Sequence, residues 1–244
     1  MSDQAVDFGQ DPHMREPHPN LRPRDAASLI LLDRTGPVPK VLMGRRHQRH
    51  VFLPGKFVFP GGSVDRADRT VPVAGELHPL TMERLLRNVA KPSAAKARTL
   101  ALTAIRETFE ETGLLIGRSS DLAAQIPDGP WAEFAKSGIV PDLAVLHFVA
   151  RAVTPPRRPR RYDTRFFAAD ISAIAHRIER TAEAEAELLE LAWVPIDEAF
   201  QLDLIPITKL VLRDLQQQID SGLGRDHPVP YYRMLHGKRV RELL

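Results

Sequence analysis

Three glutamates stand within five positions in the stretch RETFEETGLL, residues 106–115. Glu107 and Glu110 are spaced i,i+3 and Glu107 and Glu111 i,i+4, so on a helix all three share one face. Like charges at these spacings cost about 0.2–0.5 kcal/mol per pair. Gly113 reads as the C-cap, which sets the acids at the negative end of the helix dipole, at roughly 0.3–1 kcal/mol each. One reading of this placement is a solvated acidic face. The other is a bound divalent cation: carboxylates are hard oxygen ligands suited to Mg2+ or Mn2+, and magnesium keeps several waters while bridging to substrate phosphates. With a glycine-rich turn elsewhere, such acids suit a metal–phosphate site.

The acids need a rigid carrier, and residues 94–112 have the pattern for one. Ala94, Ala101, Leu102, Ile105 and Phe109 fall within a stripe about 100° wide, with Glu107 and Glu111 on the opposite side. Ser93 is placed to cap this helix. Arg98 is the one charged residue in the stripe, its stem expected on the core and its head in water. Upstream, AASLILLDR and PKVLMGRR read as a hairpin joined at TGPV, and KFVFPGG as a short strand stopped by Pro60 and two glycines. PLTMERLLRNVA reads as a helix ending at the break KPS. Downstream, DLAVLHFVARAV, TRFFAAD and LLELAWVPI have strand character. ITKLVLRDLQQQIDSG gives a second amphipathic helix through Ile207, Leu210, Val211, Leu215 and Ile219. The last segment, LGRDHPVPYYRMLHGKRVRELL, shows no pattern that places it. The order predicts an α/β protein with a mixed sheet between helices.

Composition narrows the classes. A chain of 244 residues with 43% hydrophobic content can bury a full core. A net charge of +3 does not argue for a nucleic-acid binder. The absence of cysteine excludes disulfides, thiolate metal sites and cysteine nucleophiles. No apolar run approaches a membrane span, and the polar, proline-containing start has no signal-peptide core, so a soluble cytoplasmic protein is expected. Residues 1–24 read as a disordered lead and residues 25–244 as one domain, with an insert at about 69–93 and a C-terminal helix and tail at about 205–244.

FPGG at 59–62 and RETFEETGLL resemble the two ends of the Nudix box, G-x5-E-x7-R-E-U-x-E-E-x-G-U, where U is a bulky aliphatic residue. Arg106, Glu107, Glu110, Glu111, Gly113 and Leu114 match the second half, and Thr108 stands where an aliphatic residue is usual. Counting from Gly62, the acid of the first half falls on Asp68, and about 30 residues are inserted before Arg106. The resemblance implies a Nudix-type α/β/α sandwich and hydrolysis of a nucleoside diphosphate linked to another moiety, with Mg2+ or Mn2+ as cofactor. It implies Glu107 and Glu111 as metal ligands, Glu110 completing the shell directly or through water, and a helix or loop glutamate as base. Arg106 would orient a helix glutamate or the loop, and Gly61 and Gly62 would allow close backbone approach. Glu187, ahead of Trp193, resembles a glutamate that in some members joins the metal shell or acts as base. Its plainer reading is a solvated run with Glu183, Glu185 and Glu190.

VLMGRRHQRHVFLPGKFVFPGG is similar to the loop before the box in Nudix coenzyme A diphosphatases, through Arg46, Gly55 and Phe59–Gly62. It departs at Val51 and Leu53, where Arg and His are usual. Animal peroxisomal acyl-CoA diphosphatases share this loop style, a long insert in the box and the segment R-[FY]-D-T-x-F-F, here Arg161, Tyr162, Asp163, Thr164, Phe166 and Phe167. The final RELL is not the peroxisomal address. The implied substrate is coenzyme A or acyl-CoA, cleaved to 3′,5′-ADP and (acyl-)4′-phosphopantetheine. Arg46, Phe59, Gly61, Gly62, Arg160 and Arg161 are the expected substrate-binding residues, since guanidinium forks suit a 3′-phosphate as well as a diphosphate. The alternatives are another Nudix substrate (ADP-ribose, a dinucleotide, capped RNA) and a non-catalytic ligand-sensing module. The expected partner is a small nucleotide-diphosphate, without membrane or nucleic acid, and a homodimer is an open alternative.

Overall fold

The computed structural model describes residues 4–5, 19–47, 54–179 and 188–244. A short strand β1 (Gln4–Ala5) lies within the lead expected to be without structure, and the hairpin β2 (Arg24–Asp33) and β3 (Lys40–Arg46) follows as expected. KFVFPGG divides at Pro60, which has no N–H to give a ladder, into β4 (Phe57–Val58) on β3 and β5 (Gly61–Ser63) on β2. The insert holds α1 (Pro79–Leu86), shorter than its pattern because Arg87 turns extended.

Helix α2 (Ala94–Thr112) is capped by the Ser93 hydroxyl, which accepts from the Lys96 N–H, and ends at Gly113 in the left-handed region, φ 74°. Both caps are where the sequence placed them. The far face of α2 is not solvated, however: every residue from Thr99 to Arg106 is buried. The insert covers that face, sending Val71, Leu77 and Leu85 into the same core. Thr99 and Thr108 stay inside the helix because each hydroxyl donates to the carbonyl four residues back.

Next come β6 (Leu114–Ser119), α3 (Ala132–Lys136) and β7 (Ile139–Pro141), then β8 (His147–Val153), β9 (Tyr162–Asp170) and β10 (Ile174–Arg177). The chain closes with β11 (Leu188–Pro195), α4 (Ile196–Ala199), α5 (Pro206–Asp220), β12 (Pro230–Leu235) and β13 (Lys238–Leu243). The start of DLAVLHFVARAV is a 3-10 turn capped by Asp142 instead of strand. The unplaced C-terminal segment is a hairpin whose turn, His236 (φ 49°) and Gly237 (φ 78°), is the positive-φ pair that matches strand twist.

The main sheet runs β1-β13-β12-β8-β9-β2-β3-β11, parallel at β2/β9 and β8/β12 and antiparallel elsewhere; β10-β6-β7 form a small second sheet. Leu29, Leu31 and Phe167 face the α2 side, while Ile30, Leu32 and Phe166 face α5 with Val211 and Leu215. A mixed sheet between helices is the expected fold class.

A small cavity lined by Thr81, Arg84, His147, Gln218 and Arg225 joins the insert to α5 and the segment before β12. Burial, with Arg225 and Arg34 adding repulsion, pushes the His147 imidazolium down to about 4. An unfolded chain takes up this proton near pH 6.5 and the folded one only near 4, so stability present above 6.5 is lost as pH falls through that window. His147→Gln should therefore lose less stability than wild type between pH 7 and pH 4.5 in denaturant titrations. Equal losses in the two proteins would assign the acid sensitivity to other groups.

Candidate active site

The centre of the site is the Arg106 guanidinium, which is only 4% exposed. Its Nε donates to Asp68 Oδ1 at 2.8 Å, and Nη2 donates to Asp68 Oδ2 at 3.1 Å and the Ser63 carbonyl at 3.0 Å. Nη1 serves Glu110 Oε2 at 2.8 Å and Glu107 Oε1 at 3.0 Å. Four of the five N–H directions of the arginine fork are thereby hydrogen-bonded and Glu107 is ion-paired beside them, so Arg106 orients side chains and the box loop.

Asp68 is the fully buried counterpart. Besides Arg106 it accepts from the Thr103 hydroxyl at 2.8 Å, the Trp131 indole N–H at 3.1 Å and the Asp65 backbone N–H at 3.0 Å. The Asp65 carboxylate accepts from the Ala67 N–H and, reciprocally, from the Asp68 backbone N–H, which closes a capping box on the turn Arg66–Arg69. Asp68 thus fills the box's first acidic position, as a support for Arg106. Trp131 is aimed by an aromatic chain: its ring centroid lies 4.9 Å from Phe134, which lies edge-on 5.5 Å from Phe109 of α2. Thr103 and Trp131 were not singled out from the sequence. Thr103 sits one helical turn before Arg106, a legible spacing, whereas nothing local marks Trp131.

The glycine turn is drawn onto the acids. Gly61 N–H donates to Glu111 Oε2 at 3.0 Å, and the Ser28 hydroxyl and Leu29 N–H hold the Pro60 carbonyl. A Cβ on Gly62 would stand 2.5 Å from the Glu107 carboxylate, so only glycine lets backbone and acid approach this closely. Burial pushes the Glu110 carboxyl above its ordinary range, against the pull of Arg106.

A cleft of about 560 Å3 opens beside this cluster. The expected residues Arg46, Phe59, Gly61, Gly62, Glu107 and Arg160 all line it, together with Arg158, Arg233 and Arg239. Glu110, Glu111 and Arg161 are not among the lining residues. Arg161 instead donates to the Thr154 and Leu21 carbonyls and to Asn20 Oδ1, tying the lead to the start of β9. Arg151 and Arg165 are buried with Asp163, and Arg151 also reaches the Arg87 and Asn88 carbonyls at the end of α1. Glu187, and the motif departures at Val51 and Leu53, lie outside the described residues.

Sheet order, flanking helices and the acid-bearing helix after a glycine turn define a Nudix-type sandwich, and the chain is similar to Nudix hydrolases in both sequence and structure. It is 27% identical to the acyl-coenzyme A diphosphatase NUDT19 of Gallus gallus, over 75% of this chain and 64% of that protein. A solved NUDIX hydrolase from Alicyclobacillus acidocaldarius matches with a TM-score of 0.52 at 28% identity, covering 83% of this chain and 85% of that one. No family model matches the chain. The chain spans 64% and 43% of the lengths of the two curated relatives compared.

Asp68→Asn leaves the buried Arg106 charge without its main counterion and should cost about 3–5 kcal/mol of folding stability. Trp131→Phe removes one donor to Asp68 and part of a fully buried ring system, and should cost at least about 1–3 kcal/mol. Urea denaturation of both variants measures this; losses within about 0.5 kcal/mol, the range of ordinary surface changes, would contradict the support role of Asp68.

Proposed function

We propose that the chain is a metal-dependent Nudix diphosphatase whose substrate is coenzyme A or acyl-CoA, cleaved at the diphosphate to 3′,5′-ADP and (acyl-)4′-phosphopantetheine. One observation carries the reading: the box glycines and Glu107 share a single cleft with Phe59 and the arginines Arg46, Arg158 and Arg160. Its volume lies in the range of ordinary ligand pockets. The name of the Gallus gallus relative supports the substrate class.

The residues present fit Mg2+ or Mn2+ by donor chemistry. Asp68, Glu107 and Glu110 set three carboxylates around one guanidinium, and Glu111 adds a fourth carboxylate on the same helix end. Hard oxygen donors with excess negative charge suit such an ion. As the side chains stand, Arg106 and the Gly61 N–H hold these carboxylates, and among the described residues no three His, Cys, Asp or Glu side chains are gathered as a shell. Glu107, Glu110 and Glu111 are the residues that would hold the ion, and it would supply charge neutralisation for the phosphoryl oxygens.

The chain's own residues do the rest. The Gly61–Gly62 backbone admits the diphosphate close to Glu107, and Arg106 keeps Glu107 and Glu110 in register. The base would be a glutamate of this helix end, of which Glu107 lines the cleft. It takes a proton from the attacking water as the new P–O bond forms and the bridging P–O bond breaks, the departing phosphate carrying the electron pair.

A turnover screen over coenzyme A, acyl-CoAs, ADP-ribose, a diadenosine polyphosphate and capped RNA, with Mg2+ or Mn2+, tests the substrate. Good turnover of ADP-ribose with none of coenzyme A would move the chain to another Nudix branch, and no turnover of any compound would favour a binding module. Chelation by EDTA should abolish turnover and added Mg2+ or Mn2+ should restore it.

Glu111→Gln keeps an amide oxygen for the Gly61 N–H, so the fold should persist while kcat drops at least about 100-fold, as for loss of a charged group that acts at the phosphoryl centre. Wild-type kcat at saturating Mg2+ in this variant would remove Glu111 from the site.

A further inference from the structure

The small cavity that joins the insert to α5 and the segment before β12 is lined by Arg84, His147, Arg225 and His227, with Phe148 and Val229 as apolar walls. None of its lining residues lines the cleft of the candidate active site. Backbone carbonyls hold its two guanidiniums in place. Arg84 Nη1 donates to the Arg225 and His227 carbonyls at 2.6 and 2.5 Å, and Nη2 to the Asp226 carbonyl at 2.8 Å. Arg225 Nη2 donates to the Ala144 carbonyl. Each guanidinium is left with an Nε that is sealed from solvent and has no hydrogen-bond partner. His147 Nδ1, in the same lining, is equally sealed and unpartnered.

A buried donor without an acceptor is costly, and more so on a charged group. Three such nitrogens in one lining point to a ligand. The cavity holds about 10 Å3, near the least that admits one water-sized group, and a polyatomic oxyanion exceeds it. Charge decides between the groups that fit. No Asp or Glu lines the cavity, and among the described residues neither Arg84 nor Arg225 has a carboxylate within ion-pair distance. Of the acids nearby, Glu83 pairs with Arg87, Asp170 pairs with Arg34, and the Asp226 carboxylate lies beside Gly224. Burial and Arg87 push the Arg84 guanidinium below its ordinary range, and Glu83 and Asp226 offset them only in part. A water would accept from both Nε–H groups and leave two positive charges unbalanced. A small anion supplies acceptor and counter-charge together. The His147 imidazole adds a third donor in the tautomer with its proton on Nδ1.

We propose that this cavity is a binding site for one monatomic, monovalent anion, a halide such as chloride, held by Arg84, Arg225 and His147. Arg84 belongs to α1, His147 opens β8, and Arg225 precedes β12. The ion therefore fastens the insert to the main sheet at the approach to the C-terminal hairpin. The site stands apart from the diphosphatase reading and does not depend on it.

Thermal unfolding of the full chain at pH 7, with sodium chloride or bromide exchanged for sodium gluconate at constant ionic strength, tests the site. Constant ionic strength holds general screening fixed. An ion that binds only the folded state raises stability with saturation, so Tm should climb and level off, with a gain of roughly 3–6 °C at ten times Kd. Arg225→Gln should lose this saturable gain. Lys136→Gln, which removes the same charge from an exposed side chain outside the cavity, should keep it. Crystals grown in bromide give a direct second reading, a single anomalous peak in contact with Arg84 Nε and Arg225 Nε. If Arg225→Gln does not fold, that peak decides alone. A Tm indifferent to halide, a saturable gain that survives in Arg225→Gln, or a water where the bromide peak is expected overturns the proposal.

Discussion

A guanidinium taken out of water must have each N–H met by an oxygen, and its charge must be balanced nearby, or the folded state carries a cost of several kcal/mol. Arg106 draws its hydrogen bonds and counter-charges from the box loop, the turn at Asp68 and its own helix, with Glu107 as an ion pair at 3.0 Å. The constraint works in both directions. The turn after β5 must deliver the Ser63 carbonyl and Asp68, and α2 must present Glu107 and Glu110 one turn apart. The glycine strand must also lie against the helix end closely enough for Gly61 to reach Glu111. A shift of any one of these elements leaves a buried donor or carboxylate unmatched, so the geometry of the acids is set by the satisfaction of one cation.

The long insert respects this constraint because it enters after Asp68 and returns before α2. Its apolar residues cover the side of α2 that would otherwise face solvent, each large side chain contributing about 1.5–3 kcal/mol when fully buried. Arg84 of α1 donates to the carbonyls of Arg225, Asp226 and His227, and Arg151 of β8 covers the carbonyls that end α1. The insert is thus stitched to the segment leading into β12, and the split box is closed by tertiary contacts instead of by sequence proximity.

Local signals were legible where local chemistry decides. Ser93, Gly113, the β2–β3 hairpin and the acidic face of 107–111 follow from capping, turn and periodicity rules. The burial of α2 on its second face was not legible, because it depends on residues 71–85 that are remote from the helix and show no pairing pattern. Trp131 was missed for the same reason: its N–H reaches Asp68 through a fold contact between residues 63 positions apart. The C-terminal hairpin is a different case. Pro228 and Pro230 and its interleaved arginines mask the strand alternation, yet His236–Gly237 is a recognisable two-residue turn. Arginine content in 157–161 pointed to the cleft only in part, since a side chain's type does not reveal whether a carbonyl or a ligand takes its donors. Arg160 lines the cleft, while Arg161 secures the chain before β2.

The cleft is consequently assembled from parts far apart in sequence, and their charges are arranged with a direction. Carboxylates crowd the end near the glycine turn, where Arg106 keeps them ordered, and the charged residues of the remaining described lining are arginines. Opposite charges held apart in this way need each group fastened to its own scaffold. The scaffolds are independent: α2 carries the acids, β3 carries Arg46, and the hairpin carrying Arg239 is pinned to α5 through Asp214. Burial pushes the Asp214 carboxyl up while Tyr232 and Arg241 pull it down. That anchor belongs to the α5 side of the sheet, and the clamp on Arg106 belongs to the α2 side. The sheet between them lets the C-terminal hairpin and the acidic end be held by separate cores.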